Sequence, residues 1–246
     1  MFVNPKIYYL VSQIFSSGLI RYFCRMPHFT HHSEENYLKT LFSLSHRDIK
    51  KVNNIALAKA LDLNPATVLE MVRKLAQKNL LEVKTDKTIL LTDKGRKKAL
   101  LTVRKHRLWE VFLVEKLRYD WNEVHEMAEE LEHVESLDLI DRLDAFLGYP
   151  AFDPHGDPIP DKNGKIKLNA SVSLSSAIKG KTYLVISFAE TADAFLDYLG
   201  KLNIRPGVKI RVKDVNAYDH SLHVVIRSKE FQLSEKVAKN ILVEQQ

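Results

Sequence analysis

His125–Ser136 reads HEMAEELEHVES and packs five carboxylates (Glu126, Glu129, Glu130, Glu132, Glu135) and two imidazoles (His125, His133) into twelve residues. Taken as a helix, it sets Glu129, Glu132 and His133 at i, i+3 and i+4, so all three share one face. His125 stands one turn before Glu129 on the adjoining stripe. Upstream, RKHRLWEVFL places His106 and Glu110 four residues apart on another helix. Two helices that each offer His and Glu at helical spacing supply what a divalent cation needs, fixed and convergent N and O donors. The competing reading is a solvated acidic face, and Glu126, Glu130 and Glu135 fit that description.

The elements that must position these donors follow from the rest of the chain. Its 246 residues are enough for one large domain or two smaller ones, each with a real core. The formal net charge of +6 is distributed unevenly. His46–Leu108 holds sixteen Lys/Arg against six Asp/Glu, whereas Trp109–Asp144 holds three against twelve. One surface for a polyanion and another for cations are implied. The single cysteine, Cys24, excludes a disulfide framework and points to a reducing, cytoplasmic setting. Residues 1–27 are expected to be an N-terminal extension outside the fold. Lys6–Arg25 is too interrupted by polar residues to span a bilayer, so no membrane partner is expected; an amphipathic membrane-touching segment is the competitor.

From residue 28 onward the pattern is regular. Tyr37, Leu38, Leu41, Phe42 and Leu44 share a helical face, with Ser33 as the expected cap. A short helix over Val52–Leu61, the turn Asp62-Leu63-Asn64 and a helix opened by Pro65 come next, proline being tolerated at a first helical position. Leu80–Val83 and Thr88–Leu91 alternate about a polar turn and predict a hairpin; Thr92-Asp93 caps a long helix. This order is that of a winged helix-turn-helix over 28–98. Its second helix would offer Asn64, Ala66, Thr67, Glu70, Arg73 and Lys74 to DNA bases and backbone, while Arg47, Lys50, Lys51, Lys84 and Lys87 are candidate phosphate contacts.

Residues 99–165 predict a helical metal-binding and dimerisation domain, whose amphipathic Ser136–Leu147 helix is apolar widely enough for a dimer contact. It closes with the connector GYPAFDPHGDPIPDKNGK, read as linker from its Pro, Gly and Asp content. Several short β segments in 166–246 predict a small barrel. The fold class is α+β, multidomain.

These residues resemble the metal-dependent repressors of the diphtheria toxin repressor and manganese transport regulator type, in the long form with a C-terminal SH3-like (FeoA-like) domain. The likeness runs from about Ser33 to Val243 and is carried by EENYLKTLFSL, NPATVLEMVRKLAQKNLL, RKHRLWEVFL, VHEMAEELEHVES, FDPHGDPIP, NIRPGVKIRV and LSEKVAKNI. It implies two metal sites. The primary site would use Glu129, Glu132 and His133, with Asn36 at the position that supplies Met or Asp elsewhere. The second would use His106, Glu110 and His125, with Glu190 and Asp193 reaching across from the last domain. Iron-type members have Cys at the place of Glu129, and the carboxylate here favours Mn2+ or Fe2+ over softer ions. Manganese-type members usually have a further acid where this chain has Lys39, which weakens the case for a closely spaced dinuclear site. The resemblance implies a non-enzymatic, homodimeric repressor of metal-homeostasis genes that reads a pseudo-palindromic operator. The alternatives are a metal-independent winged-helix regulator and a metal-dependent hydrolase, for which HEMAE lacks the second His of H-E-x-x-H.

Overall fold

The computed structural model describes residues 34–46, 51–167, 170–190 and 192–246. The expected extension, the Ser33 cap, Arg47 and Lys50 lie outside the described residues.

Helix α1 (Glu34–His46) buries Tyr37, Leu38, Leu41 and Phe42. Helix α2 (Asn54–Leu61) opens with Asn53 accepting from the Ala56 amide and stops at Asp62, whose φ of 53° ends the helical path. Two residues on, Asn64 accepts from the Ala66 amide and Pro65 begins α3 (Pro65–Gln77). Val68, Val72 and Leu75 turn α3 inward and are essentially fully buried, each worth about 1.5–3 kcal/mol of transfer free energy. Strands β1 (Leu81–Val83) and β2 (Ile89–Leu91) pair antiparallel, Glu82 opposite Leu90, and form the wing. The Ile89 amide donates to the Val52 carbonyl, which ties the wing to the start of α2.

Helix α4 (Asp93–Glu115) has 23 residues, about 34 Å at 1.5 Å per residue. Thr92 caps it by accepting from the Gly95 amide. It is the axle of the molecule, packed by α1, α5 (Val124–Leu131) and α6 (Leu137–Phe146). Because it is covered on several sides, even its polar residues Arg104, Lys105, His106 and Glu110 are buried. Arg104 reaches Asp141 and Asp144 on α6, so part of the basic stretch serves the interior and not a polyanion.

The acidic stretch forms less helix than its spacing predicts. α5 ends at Leu131; the Glu132 amide still bonds to the Ala128 carbonyl, but Val134 tightens to Leu131 and Ser136 already caps α6. His133 therefore falls in the turn after the helix, where it faces Glu35 of α1 while Glu129 faces Lys39 one turn further along the same helix.

The last unit is a six-stranded antiparallel sheet in the order β3-β8-β4-β5-β6-β7. The strands are β3 (Val172–Ser173), β4 (Thr182–Phe188), β5 (Lys209–Val215), β6 (Leu222–Ile226), β7 (Lys229–Leu233) and β8 (Ile241–Gln245). Helices α7 (Asp193–Lys201) and α8 (Glu235–Lys239) complete it. The expected barrel is an open sheet among the described residues, with β3 and β7 as its edges, although the arrangement is SH3-like. Bulges at Val185/Ser187 and Val212/Asp214 shift the register within it. Trp121, from the loop after α4, lies in this unit's hydrophobic core beside Phe188. Among the described residues no helix is long and apolar enough to cross a membrane.

The connector is packed, not loose. Asp153 accepts from the amides of His155 and Asp157. Gly156, at φ +86°, lies so close to β4 that an added Cβ would sit 1.9 Å from the Ile186 carbonyl oxygen. Gly156→Ala is expected to detach this turn from β4 and to lower unfolding free energy by about 1–3 kcal/mol; a urea melt unchanged from the parent would contradict it.

Candidate metal centre and nucleic-acid interface

Among the described residues three groups of donors come together around α4, and each keeps its ligand atoms within 4.8 Å of one another: His106, Glu110 and His125; His106, Glu129 and Glu132; and Glu110, Asp153 and His155. His106 joins the first group to the second and Glu110 joins the first to the third. The cluster is thus continuous from α5, across α4, to the connector. A cleft of about 310 Å³ opens onto it, lined in part by Lys39, His106, Glu110 and His125.

The geometry explains the charge states. His106 Nδ1 lies 2.6 Å from Glu132 Oε2 and its Nε2 lies 3.0 Å from Glu110 Oε1. Burial alone would push this imidazole down, but Glu110 and Glu132 overcome it and raise it to about 9. His106 is therefore an imidazolium that donates both N–H groups. Burial would raise Glu110, yet His106, His125 and His155 hold it well below the usual carboxylate range. Glu129 is likewise lowered, because Lys39 and His106 outweigh its desolvation.

In the third group His155 Nε2 donates to the Trp121 carbonyl at 2.8 Å, which turns Nδ1 toward Glu110 Oε2, 3.7 Å away. Burial lowers the His155 imidazole, but Glu110 and Asp153 bring it up to about 9. Asp153 is raised to about 7 by its burial and by the negative charge of Glu110 and Asp157, against Arg107.

Helix α1 closes the cluster. Lys39 Nζ lies 2.6 Å from Glu129 Oε1 and 2.7 Å from Glu132 Oε2. Glu35 Oε2 accepts from His133 Nδ1 at 2.7 Å. Of the buried atoms left without a partner among the described residues, two belong to the expected ligands, Glu132 Oε1 and His133 Nε2. Orphaned acceptors of this kind, inside a set of hard oxygen and imidazole donors, fit a divalent cation such as Mn2+ or Fe2+.

The expected ligands divide accordingly. His106, Glu110 and His125 converge, as do His106, Glu129 and Glu132; His106 faces Glu110 with Nε2 and Glu132 with Nδ1, so the two groups lie on opposite sides of its ring. His133 faces Glu35 and is outside the three groups. Asn36 is buried on α1. Glu190 accepts from Asn240 at 3.3 Å and is also outside the groups; the Asp193 side chain is not among those described. Asp153 and His155 were not anticipated as donors. Their one signal was a His two residues after an Asp and just before a Gly, within a connector otherwise read as linker.

On the winged helix, Asn64, Ala66, Thr67, Glu70, Arg73 and Lys74 are all exposed. Asn64 spends its side-chain oxygen on the cap, and Lys74 pairs with Glu34 at 3.0 Å. Lys51 pairs with Asp86 in the wing turn, and Lys84 pairs with Glu82 two residues earlier on the same arm of the wing. Such exposed pairs are weak and exchange readily for phosphate. Lys87, at φ 65°, sits in the exposed wing turn.

The fold and site define a class: a winged helix joined by one long helix to a buried cluster of cation donors. Three family descriptions match in succession. They are "Iron dependent repressor, N-terminal DNA binding domain" over residues 29–89, "Iron dependent repressor, metal binding and dimerisation domain" over 92–161, and "FeoA domain" over 172–245. A solved "Manganese-dependent transcriptional repressor complex with manganese" is 34% identical with a TM-score of 0.79, covering 87% of this chain and 100% of that one. The chain belongs to this family of iron- and manganese-dependent repressors. The iron-dependent repressor IdeR of Mycobacterium tuberculosis is 38% identical over 126 residues, a match that spans 51% of this chain and 54% of that protein. The diphtheria toxin repressor of Corynebacterium diphtheriae is 27% identical over 221 residues, 86% of this chain and 96% of that protein.

The raised imidazoles set a pH dependence for the metal-free protein. A histidine whose folded pKa exceeds its unfolded value of about 6.5 stabilises the fold fully below that pH and loses the contribution as pH rises. Here the loss runs up to about 9 for both His106 and His155. In chelator, the melting temperature should fall between pH 7 and 9.5, and His106→Gln should flatten the profile; a rising melting temperature over that range would contradict these charge states.

Proposed function

We propose that this protein is a metal-responsive transcriptional repressor that binds Mn2+ or Fe2+ at the His106-centred cluster and controls metal-homeostasis genes, metal uptake among them. The observation that carries the reading is the contact of α1 with the donors: Lys39 and Glu35, on a helix of the winged-helix core, touch Glu129, Glu132 and His133. A cation bound there changes what α1 is held by, and α1 packs in one core with α2 and α3. When bound, the metal supplies positive charge and a fixed coordination shell. Glu129 and Glu132 would hold it on the Nδ1 side of His106, and Glu110 and His125 on its Nε2 side, with Asp153 and His155 as further donors.

The working form is a homodimer in the cytoplasm. Leu137, Leu139 and Phe146 on the outer face of α6 are exposed and suit an apolar contact between copies. Two copies would carry two α3 helices to successive major grooves of a pseudo-palindromic operator, with Thr67, Glu70 and Arg73 facing bases and Lys51, Lys84 and Lys87 facing phosphates. Domain limits of 28–98, 99–165 and 166–246 suit this division of labour. No hydrolytic role is assigned, since the matched family descriptions are those of DNA-binding repressors.

Duplexes selected from a random pool in the presence of Mn2+ should contain two half-sites. Binding to the selected duplex should tighten with Mn2+ by a coupling of about 1–3 kcal/mol. His106→Ala and Glu132→Ala should remove that response. Equal affinity in Mn2+ and in chelator would refute the reading.

A further inference from the structure

Lys39 occupies an unusual position for a lysine. Its side chain is only 14% exposed, and its ammonium bridges Glu129 and Glu132, whose side chains are 27% and 0% exposed. The ammonium therefore sits between two carboxylates where a bridging cation would sit. One turn earlier on the same helix, Glu35 holds His133 by Nδ1 and also faces the buried Lys105 at 3.7 Å. Glu35 and Lys39 together engage three of the residues expected to ligate metal.

An ammonium and a divalent ion cannot share this place. Two positive centres about 4 Å apart repel strongly in a partly buried site, and an ammonium has no lone pair to act as a ligand. Glu132 Oε2 is already shared between Lys39 and His106, while its Oε1 has no partner. The carboxylate is saturated on one oxygen and unsatisfied on the other, as expected where a monovalent cation stands in for a larger charge.

We propose that Lys39 is a tethered cation that holds the metal position in the metal-free protein, so that a divalent ion binds by exchange with its ammonium. The exchange replaces one positive charge by two and releases the α1 side chain from α5. Lys39 thereby sets the concentration threshold: it lowers the affinity for metal while keeping the metal-free cluster folded. Because its backbone belongs to α1, each exchange is also read by the winged helix. This inference rests on the metal-responsive reading above.

The test uses the full-length chain stripped with chelator. Free Mn2+ is followed by electron paramagnetic resonance in the parent protein, Lys39→Met, Lys39→Arg and Glu132→Ala. Lys39→Met should bind Mn2+ about tenfold or more tightly, equivalent to roughly 1.4 kcal/mol or more, and Lys39→Arg should stay close to the parent. Unchanged or weaker binding by Lys39→Met overturns the proposal, since Lys39 would then be a bystander or part of the loaded site. In the unsubstituted protein, acetylation of Lys39 measured by mass spectrometry should rise severalfold when Mn2+ is added. Unaltered reactivity overturns the proposal even where Lys39→Met does not fold. Failure of the metal reading itself looks different: the parent would take up no Mn2+ that Glu132→Ala abolishes.

Discussion

The structure depends on neutralising carboxylates that the fold has gathered into one place. Glu129 and Glu132 bring oxygens within 4.8 Å of each other, and Glu110 is buried just beyond His106. Two full negative charges at that separation repel by about 3.5 kcal/mol at an effective dielectric of 20, comparable to a large fraction of a domain's net stability. The cluster is tolerable only with cations inside it. In this structure these are the His106 imidazolium and the Lys39 ammonium.

This requirement accounts for features that packing alone would disfavour. A 23-residue helix that buries Arg104, Lys105, His106 and Glu110 would be costly if each polar group were isolated. Each instead meets a partner from a different element: α6 for Arg104, α1 for Lys105, α5 and the connector for His106 and Glu110. The long helix thus binds the winged helix, the acidic turn and the connector through charge, while apolar contacts such as Leu108 and Val111 against Ile140 fill the gaps. Trp121 extends the same network to the last unit, its carbonyl holding His155 and its ring resting in that unit's core.

Local chemistry made much of this legible from sequence. Asn64-Pro65 marks the start of α3 because a capping side chain and a proline at the first position both act within a few residues, and the polar turn between Val83 and Thr88 marks the wing for the same reason. His106 and Glu110 were readable because four residues is one helical turn. What was not readable depends on distant contacts. His133 continues the i+4 pattern in sequence, but its contact with Glu35, 98 residues away on α1, has no local signature. Asp153 and His155 lie in a segment whose composition signals a turn. Only the approach of Gly156 to Ile186 shows that the turn is clamped, and that pairing has no local signature. The sign of Lys39 was evident as a departure from expectation, whereas its two carboxylate partners were not.

The central claim is that the donors around His106 form a cation site whose occupancy the winged helix senses through α1. Diffraction from crystals grown with Mn2+, collected on both sides of the manganese absorption edge, tests this most directly. The account predicts anomalous density within coordination distance of His106 or Glu110 and of the Glu129–Glu132 pair, with the Lys39 ammonium withdrawn from both carboxylates. Manganese density elsewhere in the molecule, with Lys39 still bridging Glu129 and Glu132, would contradict it.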